Sequence, residues 1–491
     1  MRTAYPVETV RAAERELMAR VPEGALMQRA AAGLAVVCAE VLGKVYGSRV
    51  VLLVGSGDNG GDALYAGARL ARRGAGVSAV LLSPERVHEG GVAAFRAAGG
   101  RVVATGGAEG VLRRADLVVD GIVGIGGKGG LRAPAAELTA SVRELRTPVV
   151  AVDLPSGVDA DSGVVVGEAV RADVTVTFGV HKPGLLIDPG REYAGVVRLV
   201  DIGLELGAGA GAGAGADGGG VGGVEALQYA DVASLLPMPT GESDKYRRGV
   251  VGIVAGSARY PGAAVLAVAG ALRGGAGAVR YVGHAADAVI ARFPETLVSA
   301  GPPSKAGRVQ AWVVGPGLGD DAERLADVVG ADVPVLIDAD GLRLADAGAV
   351  RGRAAPTLLT PHAGEAAALL GVAREEVERG RLDAVRELAG RYGATVLLKG
   401  STTLVADPGG REGPVRVNPT GTPWLATAGS GDVLSGLAGA LLAAGLGARD
   451  AGSVGAYLHG LAGRRAADGA PVGAHDVAEA IPLAWRDVRG D

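Results

Sequence analysis

The apolar positions of the 491-residue chain fall into two alternating rhythms. Short β-branched runs, RVVLLV at 49–54, VSAVLL at 77–82, ADLVVD at 115–120 and TPVVAVDL at 147–154, are continuous, as in strands covered on both faces. Between them stand helix-period stretches, DALYAGARLARRG and VAAFRAAGG, so the rhythm predicts a doubly wound parallel sheet behind an amphipathic N-terminal helical region. From residue 249 the rhythm returns in GVVGIVAG, AVLAVAGALRGG, AVRYVG, QAWVVGPG, PVLIDADG, APTLLTPH and TVLLKG, followed by long Ala/Leu helices. The fold class is α/β twice over, and the length suits two to three domains.

Between the halves, LGAGAGAGAGADGGGVGG at 206–223 offers almost no side chain to bury and cannot offset its own ordering entropy. We read it as a flexible linker between domains at 1–205 and 224–491. It also accounts for part of the 84 glycines; the rest, with few aromatics, suit tight turns and close backbone approaches.

Charge narrows the partners. With 49 basic and 53 acidic side chains there is no broad basic field for nucleic acid or anionic lipid, so small molecules and other copies of the chain are the expected partners. The single cysteine, Cys38 in AAGLAVVCAEVL, excludes an intramolecular disulfide framework and reads as core filling. The charged N-terminus MRTAYPVETVRAAERELMAR lacks a signal-peptide core, and no run reaches about 18 uncharged apolar residues, so a cytoplasmic protein is expected.

In open α/β sheets ligands sit beyond the carboxyl ends of the strands, so the chemistry is sought there. After the first strand, Gly55, Gly57 and Gly60 satisfy G-x-G-x-x-G, but Asp58 and Asp62 would meet a bare pyrophosphate with carboxylates. Taken alone, Asp62 reads equally well as a helix N-cap and Asn59 as a turn residue. Two further strand ends change the picture: VVDGIVGIGGKGGLR places Asp120 before a glycine loop, and VVAVDLPSGVDAD brings Asp153, Ser156 and Asp159. Hard oxygen groups of this kind suit an alkali or alkaline-earth cation, with Asp120 or Asp153 as a general acid/base. GIGGKGG at 124–130 is not a Walker A loop, because Gly129 follows Lys128 where a Ser or Thr is required.

In the second half, LATAGSGDVLSG at 425–436 opens a helix whose free amides can hold phosphate without a basic side chain. A carboxylate there, Asp432, repels that anion unless it takes a proton from a substrate hydroxyl during phosphoryl transfer. GPGLG at 315–319, DADGL at 338–342, TPHAGE at 360–365 and KGSTT at 399–403 stand at other strand ends, with Lys399 as a cation for a nucleotide. Singly, these read as caps, turns and an exposed strand end; together they read as one site.

The motifs DNGGDA, VVDGIVGIG and VDLPSGVDAD resemble those of the YjeF N-terminal family, the NAD(P)H-hydrate epimerases, over about residues 1–205. Asp58 and Ala63 stand where that family's NNGGDG loop has its first Asn and last Gly. The resemblance implies a Rossmann-like sheet and hydrate binding by Asp58, Asn59, Gly60, Gly61 and Asp62, by Gly124, Ile125, Gly126, Gly127, Lys128, Gly129 and Gly130, and by Asp153. It also implies a potassium ion on Asn59, Asp120 and Ser156. KYRRG, GSARYPGAA, PETLV, GPGLG, DADGL, TPHAGE, KGSTT and ATAGSGDVLSG, in that order from about residue 240, resemble the NAD(P)H-hydrate dehydratase branch of the ribokinase-like superfamily, with Ala363 where many relatives carry Pro. That resemblance implies hydrate contacts at Ala263, Gly317, His362 and Asp432. It implies nucleotide contacts at Lys399, Gly400, Ser401, Thr402, Thr403 and Gly431, with Mg²⁺ and ADP or ATP as cosubstrate.

The expected function is therefore repair of hydrated nicotinamide cofactors: epimerisation of (R)- and (S)-NAD(P)HX, and ADP- or ATP-dependent dehydration of the (S) form, in a homo-oligomer. Two alternatives stay open at this point. One is a small-molecule kinase of the ribokinase or hydroxymethylpyrimidine type fused to a nucleotide-sensing domain; in the other the first half is only a ligand-binding scaffold.

Overall fold

The computed structural model describes residues 1–206, 223–409 and 413–490. The expected linker at 206–223 lies, apart from its two end residues, outside the described residues. The chain divides into two compact units, Thr3–Gly218 and Gly219–Asp491, the second also taking in Met1–Arg2.

In the first unit, β1 (Arg2–Ala4) bridges His181 through Ala4. The seven strands β2 (Arg49–Val54), β3 (Gly76–Leu81), β4 (Arg101–Val103), β5 (Leu117–Gly121), β6 (Val149–Val152), β7 (Val174–Phe178) and β8 (Val196–Val200) form one sheet. Its order is β4-β3-β2-β5-β6-β7-β8, and every pairing is parallel. The continuous apolar runs are explained by burial on both faces. Val50, Leu52 and Val54 join the core under helices Ala25–Leu42 and Asp58–Arg72, while Val51 and Leu53 point into a second core with Leu112, Leu138 and Val142. Helix Ala25–Leu42 is long and apolar enough to cross a membrane by composition, but its Ala31, Leu34 and Cys38 are fully buried in this core.

The strand order reverses between β2 and β5, which opens a crevice at their carboxyl ends. The two chain segments cross there so closely that a Cβ on Gly55 would stand 1.9 Å from the Ile122 carbonyl oxygen. Only glycine fits that position.

The second unit runs β9 (Val224–Ala226), β10 (Val250–Val254), β11 (Ala278–Val282), β12 (Leu297–Ser299), β13 (Ala311–Val314), β14 (Val335–Ile337), β15 (Thr357–Leu359), β16 (Thr395–Leu398), β17 (Thr403–Ala406) and β18 (Val415–Asn418). These lie in the order β9-β18-β17-β16-β15-β14-β13-β10-β11-β12. Pairings from β12 across to β16 are parallel, and those of β16 with β17 and β17 with β18 are antiparallel. The order reverses between β10 and β13, so GSARY, GPGLG, DADGL, TPHAGE and LKGST all emerge on one edge. Helices Pro261–Arg273 and Ser430–Ala443 pack through Ala267, Val433 and Leu437 in the main core.

Candidate active sites

In the first unit Asp120, the fourth residue of β5, is fully buried. Ser156 holds it twice: its Oγ donates to Asp120 Oδ1 at 2.6 Å and its amide to Oδ2 at 2.8 Å, while the Ile122 amide donates to Oδ1 at 3.2 Å. Burial pushes the Asp120 carboxyl up to about 6, against those hydrogen bonds. Ser156 Oγ also accepts from the Val123 amide at 2.9 Å, tying the glycine loop to the same centre.

Asn59 and Asp62 do not play the local parts open to them in the sequence. Helix Asp58–Arg72 begins with Gly57 as N-cap, so both lie inside its first turns. Each is buried with an orphaned atom: Asn59 Nδ2 and Asp62 Oδ1 have no hydrogen-bond partner among the described residues. The Asp62 carboxyl is held well above the usual range by burial first, then by Asp153, Asp58 and Glu14. Gly124 passes the Asn59 side chain so closely that a Cβ would stand 2.8 Å from Oδ1.

Asp153 follows β6 in the left-handed region at φ 65°. Its Oδ1 receives the Lys182 ammonium at 2.5 Å, Thr177 Oγ1 at 3.1 Å and the Phe178 amide at 3.3 Å. Asp159, expected at the same edge, instead closes its own turn, accepting from the Asp161 and Ser162 amides and from Ser162 Oγ. Lys182 and Glu14 were missed by sequence reasoning. Lys182 stands in FGVHKPG just beyond β7, where the strand-end rule would have found it; Glu14 lies on helix Val7–Met18 and carries no such signal.

In the second unit, Gly429 caps helix Ser430–Ala443 at φ 85°, a turn suited to glycine, and sets Asp432 in the first helical turn. Asp338, at the end of β14, is almost fully buried; it accepts Lys399 Nζ at 2.7 Å on Oδ1 and Ser435 Oγ at 2.6 Å on Oδ2. Lys399 Nζ also lies 3.7 Å from Glu365 Oε2. Asp432 is pushed up to about 7, first by burial, then by Asp338, and also by Glu365, with Lys399 opposing. Burial pulls Lys399 down, but Asp338, Glu365 and Asp432 outweigh it and leave its ammonium above the usual value.

His362 caps helix Ala363–Leu370. Its Nδ1 accepts from the Gly364 and Glu365 amides at 3.0 and 3.1 Å, and Glu365 Oε2 accepts from the His362 amide at 2.7 Å. Gly317, at φ 58°, touches the start of helix Pro261–Arg273: a Cβ there would meet that of Ala263 at 2.7 Å. The buried Arg381 donates to the carbonyls of Leu398, Lys399 and Thr402, which sets the KGST turn. Gly431 lies beside Lys399 Nζ, so the turn and the amide-rich helix start are neighbours. Lys399 is thus neither an exposed strand end nor a free cation. Behind the helix start, His459 is buried and kept neutral, its value lowered to about 4 by burial, with a hydrogen bond to the Ser430 backbone.

Glycine-rich turns, helix starts and carboxyls raised toward neutrality at two switch points define a nucleotide-handling α/β enzyme with two separate centres. Residues 23–184 match the family model of the YjeF-related protein N-terminus, and residues 251–483 that of NAD(P)H-hydrate dehydratase. The chain is 51% identical over 469 residues to the bifunctional NAD(P)H-hydrate repair enzyme of Mycobacterium leprae, covering 94% of this chain and 93% of that protein. It is 52% identical to that of Mycobacterium tuberculosis strain H37Rv, covering 91% and 90%. An ADP/ATP-dependent NAD(P)H-hydrate dehydratase from Bacillus subtilis, co-crystallised with ATP and Mg²⁺, is 29% identical, covering 54% of this chain and 99% of that one with a TM-score of 0.49. The chain belongs to the bifunctional NAD(P)H-hydrate repair enzymes. It is an isomerase and a lyase: it interconverts the epimers of hydrated NADH and NADPH and dehydrates the hydrate back to the reduced cofactor.

Proposed function

We propose that the two activities divide between residues 1–205 and 224–491 and that the residues assembled at each switch point carry them. In the second centre Asp432 takes the proton of the hydrate's ring hydroxyl while that oxygen bonds to the terminal phosphorus of the nucleotide. The bond from phosphorus to the nucleotide's bridging oxygen then breaks. The amides of Gly431 and Asp432, in the first turn of helix Ser430–Ala443, stabilise the moving phosphoryl charge. Phosphate then leaves the ring carbon with its bonding pair, and loss of a proton from the adjacent ring carbon restores the double bond. Phosphorylation turns the ring oxygen into phosphate, a far better leaving group than hydroxide at neutral pH. Ala263, Gly317 and His362 line the hydrate; Lys399–Thr403 and Gly431 line the nucleotide, whose phosphates bring Mg²⁺.

The observation that carries this reading is Asp432, raised to about 7 among Asp338, Lys399 and Glu365 at the mouth of a helix start. A carboxylate titrating there is half ionised at neutral pH and matched to proton abstraction.

In the first centre the two epimers differ at the hydroxyl-bearing ring carbon next to the ring nitrogen. Interconversion breaks the carbon–oxygen bond as the nitrogen lone pair moves in, then adds water from the opposite face. Asp153 and Asp120 are the acid/base pair for the two proton transfers. The first helical turns at 58–62 and the glycine loop at 124–130 hold the cofactor's phosphates and ring.

The residues fit a potassium ion: Asp120, Ser156 Oγ and Asn59 Oδ1 are hard oxygen donors with a single negative charge, and a Cβ at Gly124 would fill the space beside Asn59. When bound, the ion would supply positive charge among the acidic groups. A cytoplasmic location belongs to the same reading, supported by a lone, buried cysteine that leaves no intramolecular disulfide to form.

The test is recovery of reduced-nicotinamide absorbance and release of phosphate from mixed hydrate epimers with K⁺, Mg²⁺ and either ADP or ATP. Complete recovery with equal phosphate supports the assignment; a stable phosphorylated product without recovery would sink it.

A further inference from the structure

Among the described residues of the first centre, Asp153 is the carboxylate that a buried ammonium contacts directly. Lys182 is 1% exposed as a side chain and spends its ammonium on three acceptors: Asp153 Oδ1 at 2.5 Å, Thr177 Oγ1 at 3.1 Å and the Phe178 carbonyl at 3.0 Å. Thr177 Oγ1 and the Phe178 amide converge on the same carboxylate oxygen, so Oδ1 collects three donors while Oδ2 accepts none among the described residues. The backbone of Asp153 is itself held in a conformation that L side chains seldom adopt, at φ 65°. The other charged groups facing it are acidic: Glu14 on helix Val7–Met18 and Asp62 on helix Asp58–Arg72, with Asp58 beside both. A buried ammonium is costly to desolvate, and a pair of this kind is weak grounds for stability by itself. Its asymmetry, one oxygen saturated and the other left over, is what a carboxylate needs if it must be ionised and aimed at a substrate proton.

We infer that Lys182 is a positioning residue for epimerisation: with Thr177 and the Phe178 amide it anchors Asp153 through Oδ1 and presents Oδ2 to the hydrated ring. Having all three ammonium hydrogens engaged, Lys182 does not touch the substrate itself. The inference rests on the reading that Asp153 moves the proton.

The test is a double-mutant cycle on the full-length enzyme, measuring epimerisation of purified (R)-hydrated NADH at saturating K⁺. Lys182→Met should lower kcat about 10²-fold with KM unchanged, the size of a general acid/base contribution. Added to Asp153→Asn, it should cost nothing further, because its whole effect runs through that carboxylate. Losses that add across the two sites, or a Lys182→Met enzyme with wild-type kcat, would overturn the inference. Should Lys182→Met fail to fold, Thr177→Val removes a single donor from Oδ1 and must show a smaller loss confined to kcat; a rise in KM alone counts against the idea. An Asp153→Asn enzyme that epimerises at the wild-type rate would instead overturn the role of Asp153, a distinct outcome visible in the same experiment.

Discussion

Ser435 Oγ lies 2.6 Å from Asp338 Oδ2, one helical turn beyond Asp432 on helix Ser430–Ala443. With Lys399 on the other oxygen, the Asp338 carboxylate fastens that helix to the ends of β14 and β16. Positions three apart share a helix face, so this bond also fixes where Asp432 points. Ser435→Ala should therefore lower kcat/KM for dehydration by about 10- to 150-fold, from loss of a hydrogen bond to a charged group worth about 1.5–3 kcal/mol. Epimerisation by the same preparation should be unchanged, which separate assays on the two purified epimers will show.

The dehydration rate should titrate with Asp432. The base must be ionised, so kcat/KM falls about tenfold per pH unit below pH about 7 and levels off above it. Lys399 favours the ionised form. Lys399→Met removes that help, and the acid limb should move to higher pH. A limb that stays in place would show that another group is the base.

Asp432→Asn keeps the shape and removes the base. Dehydration should drop by about 10²–10⁴-fold while the epimers still equilibrate. Exchange between them, followed chromatographically without nucleotide, checks that the first centre is intact.

Asp120→Ala should do the reverse: with nucleotide present, cofactor recovery from mixed epimers should stop at the share of the epimer that the dehydratase accepts. Ser156→Ala, which removes one donor to Asp120 and one oxygen from the proposed cation set, should raise the K⁺ concentration needed for half-maximal epimerisation. A K⁺ requirement that Ser156→Ala leaves unchanged would remove Ser156 from that set.

Gly55→Ala tests the strand crossing in the first unit. A Cβ 1.9 Å from the Ile122 carbonyl oxygen forces β2 and β5 apart, and overpacking of this kind costs about 1–3 kcal/mol or more. Thermal unfolding should show the loss, and epimerisation should suffer before dehydration does.

The α/β alternation was legible in the sequence because central parallel strands, covered on both faces, leave continuous β-branched runs such as VVLLV. Short or peripheral pieces were not: the antiparallel pair Thr403–Ala406 and Val415–Asn418 carries no such run, and Leu297–Ser299 is largely exposed. Site loops could be named from their motifs, since glycine spacing reports backbone shape. The partners of those loops were invisible, being far away in sequence.

Order and spacing along the chain thus determined the doubly wound pattern in both halves, the position of the helix start that carries Asp432, and the strand ends where chemistry collects, all set by local periodicity and turn chemistry. Tertiary structure alone decided that Ser435 and Lys399 share Asp338, that Lys182 pins Asp153, and that Asn59 and Asp62 lie within a helix with orphaned atoms. Those outcomes depend on which strand ends are neighbours and on how far burial displaces each charge from water, and neither quantity is a property of any short stretch of sequence.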